Sequence, residues 1–338
     1  MQRTAMCLLL ASASLGCGSW SNLDLEFASA LPNREELRSK LPESSTNAQP
    51  LSGTSTRRDG LTAGQPSNAY AEARASATRF NGILDSLLAV LDQVPHWPPS
   101  SRKARTCSDD PSGECDTRTW GPFDDSQNPG FEFEVLVQRS NRDDGFEEPD
   151  GGVADGGAGS ASGRFSWRIH ARPRGGEFFD VVTGDYVATP AVKKGRGAMV
   201  VHVADFRDRL AVDENMKKFD RITIGYDTRG FPLVVQMTFS DAGGQLVDYL
   251  YRENADRSGG MDFEVTSTDP RILVLRTQAR WTSAGAGKTS SRVLKGTYVG
   301  ASVTECWDQA FLVTYYSEGW LGGQSSGDPA ACPAIADP

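Results

Sequence analysis

RITIGYDTRGFPLVVQMTFS, residues 221–240, reads as a β-hairpin, and its two arms dictate much of the surrounding architecture. Ile222, Ile224 and Tyr226 alternate with Thr223 and Gly225. Phe231, Leu233, Val235, Met237 and Phe239 then alternate with Pro232, Val234, Gln236 and Thr238. Side chains on a strand point alternately to opposite faces, so this pattern sets one face of the hairpin against a core. Asp227-Thr228-Arg229-Gly230 between the arms is turn chemistry, with an Asp that can bond its own backbone and a Gly able to take positive φ. Two strands alone do not stay folded in water, so neighbouring segments must complete the sheet.

Working outward, further strands are expected at 131–138, 165–172, 178–188, 198–206, 246–252, 261–266, 272–282, 293–299 and 309–316. With the two arms this gives about eleven short strands with Gly-rich turns, the pattern of a mainly β protein built as a large antiparallel meander, either an open barrel or a sandwich. No βαβ alternation occurs, which excludes a parallel nucleotide-binding sheet. Trp307, Phe311 and Tyr315 are expected to fill the closing end of the sheet.

Upstream, Ser67 or Asn68 can cap a helix that Pro95 closes, giving one long amphipathic helix over 67–95. Ala73, Ala77, Phe80, Leu84, Leu87, Leu88 and Leu91 recur at steps of three and four and draw a single apolar stripe to be buried on the sheet. The opposite face carries Glu72, Arg74, Arg79 and Asp85, unlike the Lys-rich face of a membrane-surface helix. Residues 96–130 are expected to form a loop region, 131–320 the antiparallel β domain and 321–338 a C-terminal tail. Residues 17–66, rich in Ser, Thr, Asn, Gly and Pro, read as a flexible tether with a short helix possible at 33–41.

Residues 1–16 have the form of an export signal: Gln2 and Arg3, then an apolar run over 5–15 too short to span a bilayer. The run ends in Leu15-Gly16-Cys17-Gly18. This ending resembles the lipobox of bacterial lipoproteins, with Ser14 and Leu15 standing where the family usually carries Leu and a small residue. The resemblance implies acylation of Cys17 as the mature N-terminus, anchoring in a membrane and, since Gly18 is not Asp, the outer membrane. An ordinary secretory signal cut near Ala13 or Gly16 would instead leave a periplasmic or secreted protein. The order of anchor, long helix and antiparallel meander also resembles the lipoprotein-carrier fold, an incomplete barrel that holds a helix on its concave face and an apolar cavity for acyl chains. The ending Glu305-Cys306-Trp307-Asp308-Gln309-Ala310-Phe311 with Tyr315-Tyr316 is similar to the closing segment of uncharacterised bacterial lipoproteins.

With Cys7 inside the leader and Cys17 assigned to lipid, Cys107, Cys115, Cys306 and Cys332 remain, enough for two disulfides in an exported chain. Cys107–Cys115 and Cys306–Cys332 are favoured, because each closes a local loop around turn residues. No CxxC occurs and His96, His170 and His202 are scattered, which disfavours zinc. The acidic stretches 109–116 and 143–157 carry the carboxylate oxygens that calcium takes but lack EF-hand spacing, and 143–157 reads better as a solvated hairpin tip.

The formal net charge is −9 over 338 residues, or −10 without the leader, which holds Arg3 and no carboxylate. Such a chain repels phosphate backbones and argues against nucleic acid as a partner. Ser283 to Thr289 ends like a P-loop, but Thr282 stands where the first glycine is required and a strand rather than a helix follows, so it reads as a hairpin turn. Ser100-Ser101-Arg102-Lys103 spells Ser-x-x-Lys in a Pro- and Arg-rich loop, without the companion motifs of penicillin-binding enzymes. No catalytic, cofactor or metal residues are assigned. The functional expectation is an envelope protein that binds a lipid or apolar small molecule in a cavity beneath the long helix. The alternatives are an envelope scaffold or partner-binding module without a cavity and, lower, an exported hydrolase with a scattered active site.

Overall fold

The computed structural model describes residues 20–43, 62–105, 115–140, 163–188, 194–211, 216–241 and 243–335. Among them, fifteen antiparallel strands form one sheet in strict chain order. The first half runs through β1 (Ser101–Arg105), β2 (Cys115–Asp124), β3 (Phe131–Ser140), β4 (Arg164–Pro173), β5 (Phe179–Ala188), β6 (Gly195–Val201) and β7 (Arg221–Asp227). The second runs through β8 (Leu233–Ser240), β9 (Leu246–Glu253), β10 (Gly259–Thr266), β11 (Val274–Trp281), β12 (Gly287–Lys295), β13 (Ser302–Trp307), β14 (Val313–Glu318) and β15 (Ser325–Gly327). The first and last strands do not pair, so the meander is an open single sheet rather than a sandwich or closed barrel.

The 221–240 hairpin is present as β7 and β8, with Ile222, Ile224, Tyr226, Leu233, Val235, Met237 and Phe239 buried. Phe231 departs from the expected face: it lies in the turn, 57 % exposed, because the second arm begins only after Pro232. Four strands exceed the expected eleven: β1, β2, β13 and β15. Their sequences are polar or short, and their ladders rest on backbone pairing more than on apolar alternation. Thus 96–130 is not only loop, since β1 and β2 lie within it, and 321–338 is not only tail, since β15 adds to β14 and Cys332 is bonded to Cys306. The expected strand 198–206 ends at Val201 and turns into the short helix Val203–Phe206. The expected strand 293–299 is the end of β12 followed by a turn in which Gly296 takes φ +120.

Among the described residues three helices precede the sheet: α1 (Asn22–Ser29), α2 (Arg34–Leu37) and α3 (Asn68–Leu88), the last continuing as a 3-10 segment, Ala89–His96. The long helix occupies nearly its expected span, but only its first 21 residues are α-helical. Residues 20–43, expected as part of a flexible tether, are packed instead. Phe27 and Leu37 are fully buried, and Phe27 meets the Phe165 ring edge-on at 5.2 Å. Asp24 closes a capping box with Ser21 and sits wholly buried between Arg118 (2.8 Å) and Arg102 (2.9 Å). The Arg102 guanidinium foremost holds its carboxyl well below the usual carboxylate range, against the opposing effect of burial. Tyr251 further pins the segment through its hydroxyl, which accepts from Lys40 N at 2.9 Å.

The long helix crosses the strands. It contacts β12 near its start, stacks Phe80 on Tyr249 of β9 at 4.1 Å, and its 3-10 continuation meets β3. Nine inter-strand steps from β3 to β12 cover about 43 Å. The contour of 21 α and 8 3-10 residues is roughly 47 Å. One helix therefore spans most of the sheet, and the side chains along it decide how each part of the face below is filled.

That face can be followed strand by strand through the pairing. One row runs Val137, Trp167, Gly184, Met199, Ile224, Met237, Tyr249, Phe263, Thr277, Ser291, Val303. Gly184 is required here: a Cβ on it would lie 2.5 Å from the Trp167 indole, which fills the space. The row changes character at β11, where large apolar side chains give way to hydroxyls.

Candidate functional site

Where the row changes, a half-open groove of about 920 Å³ lies between the helix and the sheet. Its roof is the first half of α3, through Ala69, Glu72, Ala73 and Ser76. These positions recur at steps of three and four and so share a face, on which Ala69, Ala73 and Ser76 carry only small side chains. Its floor is the inward face of β10 to β13. Val265, Leu275 and Val293 form one cross-strand row of apolar groups, followed by Phe263, Thr277, Ser291 and Val303, then by Ala279, Thr289 and Glu305. Ile272, Tyr298 and Trp320 stand at the mouth. Tyr298 is 52 % exposed and Trp320 39 %.

The roof is fixed at its N-terminus. Gly64 N donates to Val313 O (2.8 Å), Val313 N to Gln65 O (2.7 Å) and Ser67 N to Phe311 O (2.9 Å), which clips the segment before the helix to the start of β14. Tyr70 stacks on Phe311 with centroids 4.0 Å apart and lies beside Trp307. Trp307 and Phe311 thus fill the closing end as expected, whereas the third buried aromatic is Tyr316, and Tyr315 is only half-buried. Ser67 caps the helix by accepting from Tyr70 N. Its hydroxyl donates to Glu305 Oε1 at 2.5 Å, and Ala69 N donates to the same oxygen at 3.1 Å. A carboxylate at a helix N-terminus gains from the orphan amides and the helix dipole.

Glu305 is 4 % exposed and is the ionisable side chain of the floor. Burial pushes its carboxyl above the ordinary glutamate range, opposed by its hydrogen bonds to Ser67 and the helix backbone. Beside it the Thr289 hydroxyl is buried without a partner. Thr277 and Ser291 hydroxyls bond each other at 2.9 Å. The site is therefore an apolar slot with a polar strip across its deep end.

No family model, curated protein or solved structure matches the chain. Its chemistry is read from these residues alone.

The sequence-predicted sites are placed as follows. Cys306 and Cys332 are bonded, as expected, and tie the chain beyond β15 to β13. Cys17 and Cys107 lie outside the described residues, and with them the lipidation site and the Cys107–Cys115 pairing; Cys115 opens β2. The acidic stretch 143–157 and most of 109–116 also lie outside them. Among the described residues no group of three or more His, Cys, Asp or Glu is arranged for a metal. No described helix is long and apolar enough to cross a membrane. Residues 282–286 connect β11 to β12 as a turn, with Thr282 N donating to Ala286 O at 2.8 Å and Gly285 at φ +95.

The histidines are not drawn together. His96 is exposed at the end of the 3-10 segment. His170 faces Glu134 through Nδ1 (2.9 Å) and Asp180 through Nε2 (2.8 Å), so both ring nitrogens are committed to carboxylates. His202 Nε2 lies 2.9 Å from Thr183 Oγ1, with Asp205 at 4.0 Å from Nδ1, beyond hydrogen-bond range for an orienting carboxylate. None of these residues lines the groove. Of the groove residues, sequence reading named Asn68 as a helix cap, Ala73 on the apolar stripe, Glu72 on the opposite face, Thr289 in a turn, and Glu305 and Tyr316 in the closing segment, none of them as a binding residue. The usable signal was the small size of Ala69, Ala73, Ser76 and Ala77 at helical spacing, over a sheet segment whose inward positions include Thr277, Thr289 and Ser291.

Proposed function

We propose that this protein binds a lipid or other apolar small molecule in the groove between the first half of α3 and strands β10 to β13. The observation that carries the reading is the groove itself, about 920 Å³ with an apolar floor, under a helix whose side chains fill the same gap a few turns later. Its size falls in the roughly 300–1,000 Å³ range of ligand pockets, which are mostly apolar with few placed polar groups. The Leu15-Gly16-Cys17 sequence supports acylation of Cys17 and residence at the outer membrane, with the groove presented near a lipid phase. Intact mass of membrane-extracted protein reads this second element: a chain beginning at Cys17 with added acyl mass supports it, and an unmodified N-terminus removes it.

The binding reading is tested with purified protein titrated with a series of linear alkan-1-ols, alongside organic extraction of the purified protein. Saturable binding is expected, tightening about fourfold per added methylene until the groove is full, since each buried CH₂ contributes about 0.8 kcal/mol. Absence of binding across the series, together with absence of co-purifying lipid, would leave a scaffold role as the better account.

A further inference from the structure

Resting on that reading, we infer that the groove selects a single-chain amphiphile with an uncharged hydroxyl head, which seats beside Glu305 and the Thr277–Ser291 pair while its chain runs toward Tyr298 and Trp320.

The direction follows from the floor. Thr289, Ser291 and Val293 face the groove from one strand, so polarity falls along β12 from the Glu305 row to the Val265–Leu275–Val293 row. These rows are four residues apart, about 14 Å. The mouth lies beyond the apolar row, with Ile272, Tyr298 and Trp320 around it. An occupant with a polar end at the mouth would leave the hydroxyls of the deep end facing methylenes, at a cost for each unsatisfied polar group.

The head-group chemistry follows from what the deep end offers. A carboxylate has about four acceptor sites, and the bonds from Ser67 and Ala69 leave it capacity for a donor. In the Thr277–Ser291 pair only one hydroxyl proton is used in the mutual bond, so the other can be donated outward. A hydroxyl head matches both, donating to Glu305 and accepting from the pair. A carboxylate or phosphate head would set like charge beside Glu305 in a desolvated site, and the helix N-terminus that could offset it is already bonded to Glu305. An ammonium head would have to shed its hydration in the slot, at a cost that one carboxylate already bonded to Ser67 and Ala69 N offsets only in part.

The test is calorimetric titration of the full protein at neutral pH with dodecan-1-ol, dodecanoate and dodecylamine, below their aggregation limits, in wild type and in Glu305→Gln. Wild type is expected to bind dodecan-1-ol at least tenfold tighter than either charged analogue. Glu305→Gln keeps a carbonyl acceptor for Ser67 and Ala69 and is expected to narrow the gap between dodecan-1-ol and dodecanoate to within about threefold. Dodecanoate or dodecylamine binding as tightly as dodecan-1-ol in wild type overturns this inference while leaving the groove reading intact. Binding of none of the three overturns both. The wild-type ranking decides the matter even if the variant does not fold.

Discussion

The two halves of the long helix cover the same kind of sheet face and leave it in opposite states. Over β3 to β9, Leu84, Leu87, Leu88, Leu91 and Val94 fill the gap, and every one of them is buried. Over β10 to β13, Ala69, Ala73 and Ser76 do not, and a groove remains. The sheet below changes in step, from Trp167, Met199, Ile224 and Met237 to Thr277 and Ser291 within one row. A close-packed core and an apolar slot are thus made by the same helix on the same sheet, and the difference lies in the volume and the polarity of the side chains.

The contrast is most easily broken from the dense side. Asp24 is wholly buried between two guanidiniums that join α1 to β1 and β2, and Asp24→Ala strands Arg118 in the interior. A loss of about 3–5 kcal/mol is expected in urea unfolding. Because the folded carboxyl titrates below its unfolded value, this contribution is complete at neutral pH and is lost as pH falls below the ordinary carboxylate range. Stability of Asp24→Ala measured against pH should therefore lack that acid limb.

Leu88→Ala empties a fully buried site in the dense half, and a loss of about 3 kcal/mol is expected from the same unfolding measurement. A matched pair of insertions sharpens the comparison further. Ala77 and Ala73 lie on one stripe, 4 % and 7 % exposed, but only Ala73 lines the groove. Ala77→Leu should cost about 1–3 kcal/mol by overpacking. Ala73→Leu should cost under about 1 kcal/mol, because its added atoms enter existing space.

The smallest effect belongs to Glu305. Its folded carboxyl titrates above its unfolded value, so its stability contribution is fully present below the ordinary glutamate range and declines as pH rises through the folded value. Glu305→Gln should remove that decline, leaving a stability profile flatter toward neutral pH and a helix still capped by Ser67.

Most of the sheet was legible because its middle strands alternate. Ile222 to Phe239 and the strands around them carry period-two apolar patterns that only a one-sided sheet explains. The long helix was legible from its stripe and its capping Ser67. The edge strands were not, because Ser101 to Arg105 and Ser325 to Gly327 are polar and are held by backbone bonds to a neighbour, which residue type does not announce. Residues 20–43 were misread as part of a longer stretch. Only the Ser-, Thr- and Gly-rich stretch 44–66 has a tether's composition; Leu23, Phe27, Leu31 and Leu37 before it are apolar, and Arg118, Phe165 and Tyr251 hold Asp24, Phe27 and the Lys40 backbone. A cavity beneath the long helix was expected, but which part of the helix covers it was not legible, because a pattern search scores apolar residues by position and not by volume, so Ala73 and Leu87 counted alike.

The most direct measurement is a paired calorimetric titration of wild type and Ala73→Leu with dodecan-1-ol, with urea unfolding of both proteins run alongside. One saturable site in wild type, weakened at least tenfold in a variant of nearly unchanged stability, is the result expected if the first half of the helix roofs a ligand site. Equal binding by the two proteins, or a variant destabilised as much as Ala77→Leu, would contradict it.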